Sequence, residues 1–218
     1  MEVALAAELC TAASDPMQLW YLDALLEFQA DPNSADYDKR TALHVACASD
    51  NPGAVRCLIN CKQINLSPLD NFGRTPLIEA VRHGSTSSAR LLSAHGAHHG
   101  FCTDGASSDN PNVIHAGAEL CQAAFSGDQG YLFSLMNYCQ LDPNCHDYDR
   151  RTALMLACAE GKGDAAVSLL QMRADLHFQD RWGHSALTEA CDHGHHDLFD
   201  TLTHLDKMVS YGETPQHK

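Results

Sequence analysis

Basic residues are in short supply. The 218-residue chain carries 14 Lys and Arg against 28 Asp and Glu, a formal net charge of −14, and no basic stripe offsets the deficit. Such a surface repels phosphate backbones and anionic lipid headgroups, which excludes nucleic acid and the membrane surface as expected partners. Long apolar runs are missing too, and none approaches the roughly 20 residues of a spanning helix. Residues 1–10 have neither a basic start nor an extended apolar core, so no secretory signal is expected. Aromatics make up only 7% of the chain.

Several chemical motifs are absent as well. There is no Gly-x-Ser-x-Gly elbow, no His-Glu-x-x-His pair, and no phosphate-loop glycine ahead of Gly161-Lys162. The ten cysteines include no Cys-x-x-Cys pair of the zinc-ribbon kind. Cys57 and Cys61 lie four apart and read as packing residues near a helix end. Most of the cysteines fall at core-facing helix positions, where a thiol is a small hydrophobe, and this points to a reducing, cytoplasmic compartment.

What is present is repetition. Ala7-Glu8-Leu9-Cys10 returns as Ala118-Glu119-Leu120-Cys121, 111 positions on, and Asp31-Pro32-Asn33 and Ala46-Cys47-Ala48 return at the same interval. A shorter period lies inside each half: Thr41 and Thr75 are 34 residues apart, Thr152 and Ser185 are 33. Periods of this length mark stacked helical units.

Helix punctuation follows the same plan. Asp15-Pro16 and Asn51-Pro52 each supply an N-cap and a proline at the first helical position. Gly84 and Gly194 stop helices that begin near Pro76 and Ala186. Leu43, Ala46, Leu77, Ala80, Leu154, Ala157, Leu187 and Ala190 recur at i, i+3 spacing and are expected to form the core. Gly, Ser, Asp, Asn and Pro cluster over Gly100 to Pro111, and residues 99–117, with Cys102 and His115 in or beside them, read as a linker. The expected layout is a first module over 1–98, a second over 118–206, each of three repeats, and a flexible tail over 207–218.

The repeated strings resemble ankyrin repeats, which open on an Asp-led finger followed by Thr-Pro-Leu-His. Thr41-Ala42-Leu43-His44 and Thr75-Pro76-Leu77-Ile78 each match three of the four positions, Thr152-Ala153-Leu154-Met155 two, and Ser185-Ala186-Leu187-Thr188 keeps the Leu. Asp36, Asp70, Asp147 and Asp180 stand five residues before the Thr or Ser. Gly73 and Gly183 supply the turn glycine, whereas Lys39 and Arg150 hold that position in the other two fingers, whose turns are expected to be built differently. The resemblance implies an all-α ankyrin-repeat solenoid of about six helix-pair repeats in two three-repeat modules with short finger loops.

The order Asp147-Tyr148-Asp149-Arg150-Arg151-Thr152, Asp180-Arg181-Trp182-Gly183, His193 to Phe199 also resembles the C-terminal ankyrin region of glutaminases. Related modules follow some asparaginases. The glutaminase nucleophile motif Ser-x-x-Lys is absent from this chain, so the resemblance is to a non-catalytic region and no enzyme activity is expected.

Ankyrin proteins bind partners through finger tips and the concave helix face. The resemblance therefore implies a partner-binding protein or scaffold, with Tyr37, Arg40, Phe72, Arg74, Tyr148, Arg150, Arg151, Arg181 and Trp182 as contact residues and Lys39 beside them. Aromatic and Arg side chains suit that role. They could equally pack on the neighbouring repeat, with each Arg on a finger Asp. The partner is another protein. The remaining readings are a regulatory or assembly region of a glutaminase-like amidohydrolase, and a metal- or redox-responsive module using Asp192, His193, His195, His196 and the histidines His95, His98 and His99. For the latter, His83 and His193 read as helix caps, and no metal and no cofactor is expected.

Overall fold

The computed structural model describes residues 2–98 and 111–210, with side chains for 5–98 and 117–207. Two compact units emerge. Among the described residues the first holds 2–98 and 134–140, the second 111–133 and 141–210.

In the first unit α1 spans Glu2–Ser14, α2 Leu19–Glu27, α3 Ala42–Ala48, α4 Pro52–Ile59, α5 Pro76–Arg82 and α6 Thr86–Ala94. α1, α3 and α5 pack in a row, as do α2, α4 and α6. Asp15 accepts from the Met17 amide at 2.9 Å, but the proline that follows opens one 3-10 turn, Pro16–Gln18, and α2 begins after it at Leu19. Asn51 caps α4 as its sequence position predicts, taking the Ala54 amide at 3.2 Å, and its side-chain amide donates to the Ala13 carbonyl at 3.0 Å. One side chain thus closes α1 and opens α4.

The other unit repeats the plan. α7 spans Pro111–Ser126, α9 Ala153–Ala159, α10 Gly163–Gln171, α11 Ala186–Asp192 and α12 His196–Ser210, while α8, Gln129–Tyr138, starts in this unit and has its residues from Ser134 on grouped with the first. α7, α9 and α11 pack in a row. α7 starts seven residues ahead of 118, where the second module is expected to begin, because Pro111 is favourable at a helix start. α12 likewise runs four residues into the segment read as a tail. The rest of that linker and tail, residues 99–110 and 211–218, lie outside the described residues, as do Cys102 and His99.

Gly117, at the end of the expected linker, is a packing residue. It lies so close to the His146 main chain that a Cβ would overlap the carbonyl. Cys10 and Cys121 share a repeat position and a bond: each thiol donates to the carbonyl that ends a finger, Arg40 at 3.7 Å and Arg151 at 3.3 Å.

Leu43, Ala46, Leu77, Ala80, Leu154, Ala157 and Ala190 are buried as the i, i+3 pattern predicts. Leu187 is only half-buried. It lies on α11, the last helix of its row among the described residues, and no described helix follows in that row to cover it.

Candidate interaction surface

Each finger is a turn built by one aspartate. Asp36, Asp70, Asp147 and Asp180 each take two amides on Oδ1, from the residues two and four further on, at 2.8–2.9 Å. In each, the Asp amide donates to the carbonyl four residues on, at 2.9–3.0 Å. The expectation that Lys39 and Arg150 build different turns is overturned. Their φ angles are 57° and 61°, against 73° and 84° for Gly73 and Gly183. The aspartate imposes one turn on all four fingers, and the two non-glycine residues adopt the left-handed conformation at a cost of about 1–2 kcal/mol each.

Neighbouring fingers are tied by their backbones. The Asn71 amide donates to the Asp38 carbonyl at 2.9 Å and the Arg181 amide to the Asp149 carbonyl at 3.2 Å. Side chains on these turns are therefore held on a fixed frame.

The named finger residues divide by what they touch. Arg40 pairs with its own Asp36 at 3.4 Å, and Arg151 grips Asp147 through Nε at 3.0 Å and Nη2 at 2.8 Å. Arg74 reaches Glu79 at 3.3 Å and lies 5.1 Å from the Phe72 ring centre. Arg150 stacks over Phe178 at 5.5 Å. Arg181 stacks over Tyr148 at 4.4 Å and lies 4.0 Å from Asp149. Tyr37, Phe72, Tyr148 and Trp182 remain open to solvent, from 57% exposed for Phe72 to 93% for Tyr37.

In the second unit Trp182 borders a groove of about 530 Å³ with Phe125, Arg151, Glu160 and His184. Asp180, His184 and Glu189 meet there, their ligand-type atoms all within 4.8 Å of one another. Sequence reading missed His184 and Glu189, having looked for metal ligands at Asp192 to His196. The available signal was the exchange of Arg74 for His184 between fingers that share their Asp and Gly. His193 caps α11 as expected, its Nδ1–H donating to the Glu189 carbonyl at 3.0 Å, whereas His83 pairs with the Glu79 carboxylate at 3.4 Å.

The buried thiols are chemically quiet. Burial pushes Cys10 and Cys145 up to about 11 and Cys121 and Cys158 up to about 12, and raises Cys47 further. Cys61 donates to the Cys57 carbonyl at 3.6 Å, a helix contact between packing residues.

Residues 9–101 and 120–214 match the family model for ankyrin repeats in three copies. The chain belongs to the ankyrin-repeat family. Its fold is an all-α ankyrin solenoid of about six repeats, and such repeats form a protein-interaction module. The chain is 36% identical over 171 residues to potassium channel KOR2 of Oryza sativa subsp. japonica, covering 78% of this chain and 22% of that protein. It is 28% identical over 200 residues to L-asparaginase of Dirofilaria immitis, covering 92% of this chain and 32% of that protein. The ankyrin chain thus spans a third or less of these relatives. The human ASB11 ankyrin repeat domain superposes with a TM-score of 0.63 at 21% identity, over 89% of this chain and 81% of that one. No described helix is long and apolar enough to cross a membrane.

Proposed function

We propose that the chain is a non-catalytic scaffold that binds another protein through its finger tips, with Phe72, Tyr148, Arg181 and Trp182 as principal contacts and Tyr37 at the edge. The observation that carries this reading is the pairing of exposed aromatic rings with turns fixed by two amide bonds to each finger aspartate. A ring on a rigid turn loses little freedom on binding and brings a large contact area. Arg40, Arg74, Arg150 and Arg151 contribute mainly by shaping the surface, since each already holds a carboxylate or a ring. Arg181 is engaged too, on the Tyr148 ring and near Asp149, but its side chain is more exposed than those of the ion-paired Arg40, Arg74 and Arg151, and it presents ring and guanidinium together to a partner.

The net charge of −14 favours partners with a basic face and disfavours nucleic acid and anionic membranes. Thiols held protonated by burial fit a reducing cytoplasmic compartment. A regulatory region attached to an amidohydrolase is the other reading. The parallel with L-asparaginase gives it some support, but the parallel with a potassium channel is of similar extent, so the binding reading does not depend on it.

Affinity capture from the native cell tests the proposal. The unmodified chain should retain a partner that the double variant R181A/W182A loses at unchanged thermal stability. An unchanged partner set would remove these residues from the contact surface.

A further inference from the structure

We propose that Asp180, His184 and Glu189 form a binding site for a divalent transition-metal ion of the Zn2+ class, clipping the last finger to α11. The site goes beyond the partner-binding role and does not rest on it.

The geometry begins with Asp180. Its side chain is 1% exposed, and its Oδ1 is fixed by the Trp182 and His184 amides, both at 2.8 Å. Oδ2 accepts no hydrogen bond among the described residues and faces His184 Nδ1 at 3.8 Å. The same Nδ1 lies 3.3 Å from Glu189 Oε1. Metal–ligand bonds of about 2.0–2.1 Å in a tetrahedron set ligand atoms roughly 3.3 Å apart. The His184–Glu189 spacing already fits, and Asp180 Oδ2 has to close from 3.8 Å on His184 and from within 4.8 Å on Glu189.

The equivalent place in the first unit shows what is missing. There Asp70, Arg74, Glu79 and His83 stand at matching positions, and the Arg74 guanidinium pairs with Glu79. A guanidinium keeps its charge at every physiological pH. His184 replaces it, which leaves two largely buried carboxylates facing an imidazole without a permanent cation. Arg151 borders the same groove but is committed to Asp147 through both Nε and Nη2. A bound dication supplies the missing charge, and one imidazole with two carboxylates is a ligand set that Zn2+ accepts.

His193 completes the arrangement from outside. Its Nδ1 is set on the Glu189 carbonyl and lies 3.5 Å from Glu189 Oε2, so it steadies the carboxylate rather than taking the metal. Outer partners of this kind orient metal-binding carboxylates. The groove beside Trp182 leaves the remaining position to water.

The test is zinc titration of the chelator-stripped full chain against a chromophoric competitor, with cobalt substitution as a second readout. The variants are H184R, which installs the arginine of the matching finger and so keeps the fold, and E189Q. The proposal expects one tight equivalent of zinc, binding weakened at least about ten-fold in each variant, zinc-dependent thermal stabilisation in the unmodified chain but not in H184R, and a cobalt spectrum without thiolate charge transfer. Zinc bound no tighter by the unmodified chain than by H184R would overturn it, as would a thiolate signature at the tight site.

Discussion

His44 of α3 donates from Nε2 to the Arg74 carbonyl, 3.1 Å away across one repeat, while its Nδ1 accepts the Thr41 amide at 3.1 Å. The ring therefore joins the start of one helix to the end of the next finger, and accepting the Thr41 amide at Nδ1 requires the neutral imidazole. Burial lowers its pKa, against the opposing pull of the Arg74 carbonyl, Asp70 and Glu79. The unfolded chain takes up this proton more readily than the folded one, so acid favours unfolding. The stabilising contribution is complete above the ordinary imidazole value of about 6.5 and is lost as the pH falls below it. Met155 occupies the matching place in the second unit, where its sulfur lies 3.5 Å from the Thr152 amide. H44M should cost about 1–2 kcal/mol near neutrality, by leaving the Arg74 carbonyl unpaired, and should lose less stability than the unmodified chain on acidification. Urea melts at about pH 7.5 and about pH 5.5 check this; parallel losses in both proteins would count against it.

Lys39 sits at a φ of 57° in a turn that the Asp36 carboxylate would fix equally around glycine. K39G should stabilise the chain by about 1 kcal/mol, since glycine takes this conformation without strain. Arg150 holds the matching turn but also stacks on Phe178, so R150G should gain less. Thermal denaturation of the two variants side by side decides whether this order holds.

Gly117 and Gly163 should respond oppositely to alanine. A Cβ at 117 overlaps the His146 main chain, whereas one at 163 meets only Leu198 Cδ1 at 3.8 Å, an ordinary contact. G117A should lose about 3 kcal/mol through the shift forced on α7. G163A should be neutral or slightly stabilising. Equal denaturation midpoints for the two variants would refute the contact at His146.

Asn51 acts on two helices at once, so N51A removes both a cap and the donor to the buried Ala13 carbonyl. The expected loss is about 2 kcal/mol. Lys162 occupies the matching place in the second unit without a side-chain cap bond, and K162A should change stability by less than about 0.5 kcal/mol.

Cys10, Cys121 and Cys158 should resist alkylation in the folded chain, because burial raises their pKa to about 11, about 12 and about 12 and leaves little thiolate. Cys191 is the exposed thiol among the nine described and should label first. Mass spectrometry after brief treatment with iodoacetamide at neutral pH gives the order.

Much of the fold was legible because the repeat writes it locally. A finger aspartate needs only the amides two and four residues on, and Thr75 needs only the Ile78 amide to start α5. Leu43 and Ala46 lie one turn apart wherever the helix packs. The surface was less legible. The alternative that each Arg pairs with a finger Asp holds for Arg40 and Arg151, whereas Arg74 takes Glu79 of α5, a choice that depends on side-chain rotamers and helix placement. Lys39 and Arg150 were read by their own preference for negative φ, which the aspartate overrides.

The sequence by itself determined the repeat length, the starts of helices such as α4 and α5, and the aspartate at the head of each finger, because these rest on hydrogen bonds between residues a few positions apart. Only the tertiary structure decided that Leu187 is half-buried, that Gly117 meets the His146 backbone, and that His184 stands between Asp180 and Glu189. The first two are relations between elements some 30 residues apart, set by how one repeat stacks on the next. The last joins a finger to the helix that follows it, and whether three side chains converge there depends on burial and rotamer, which spacing along the chain does not specify.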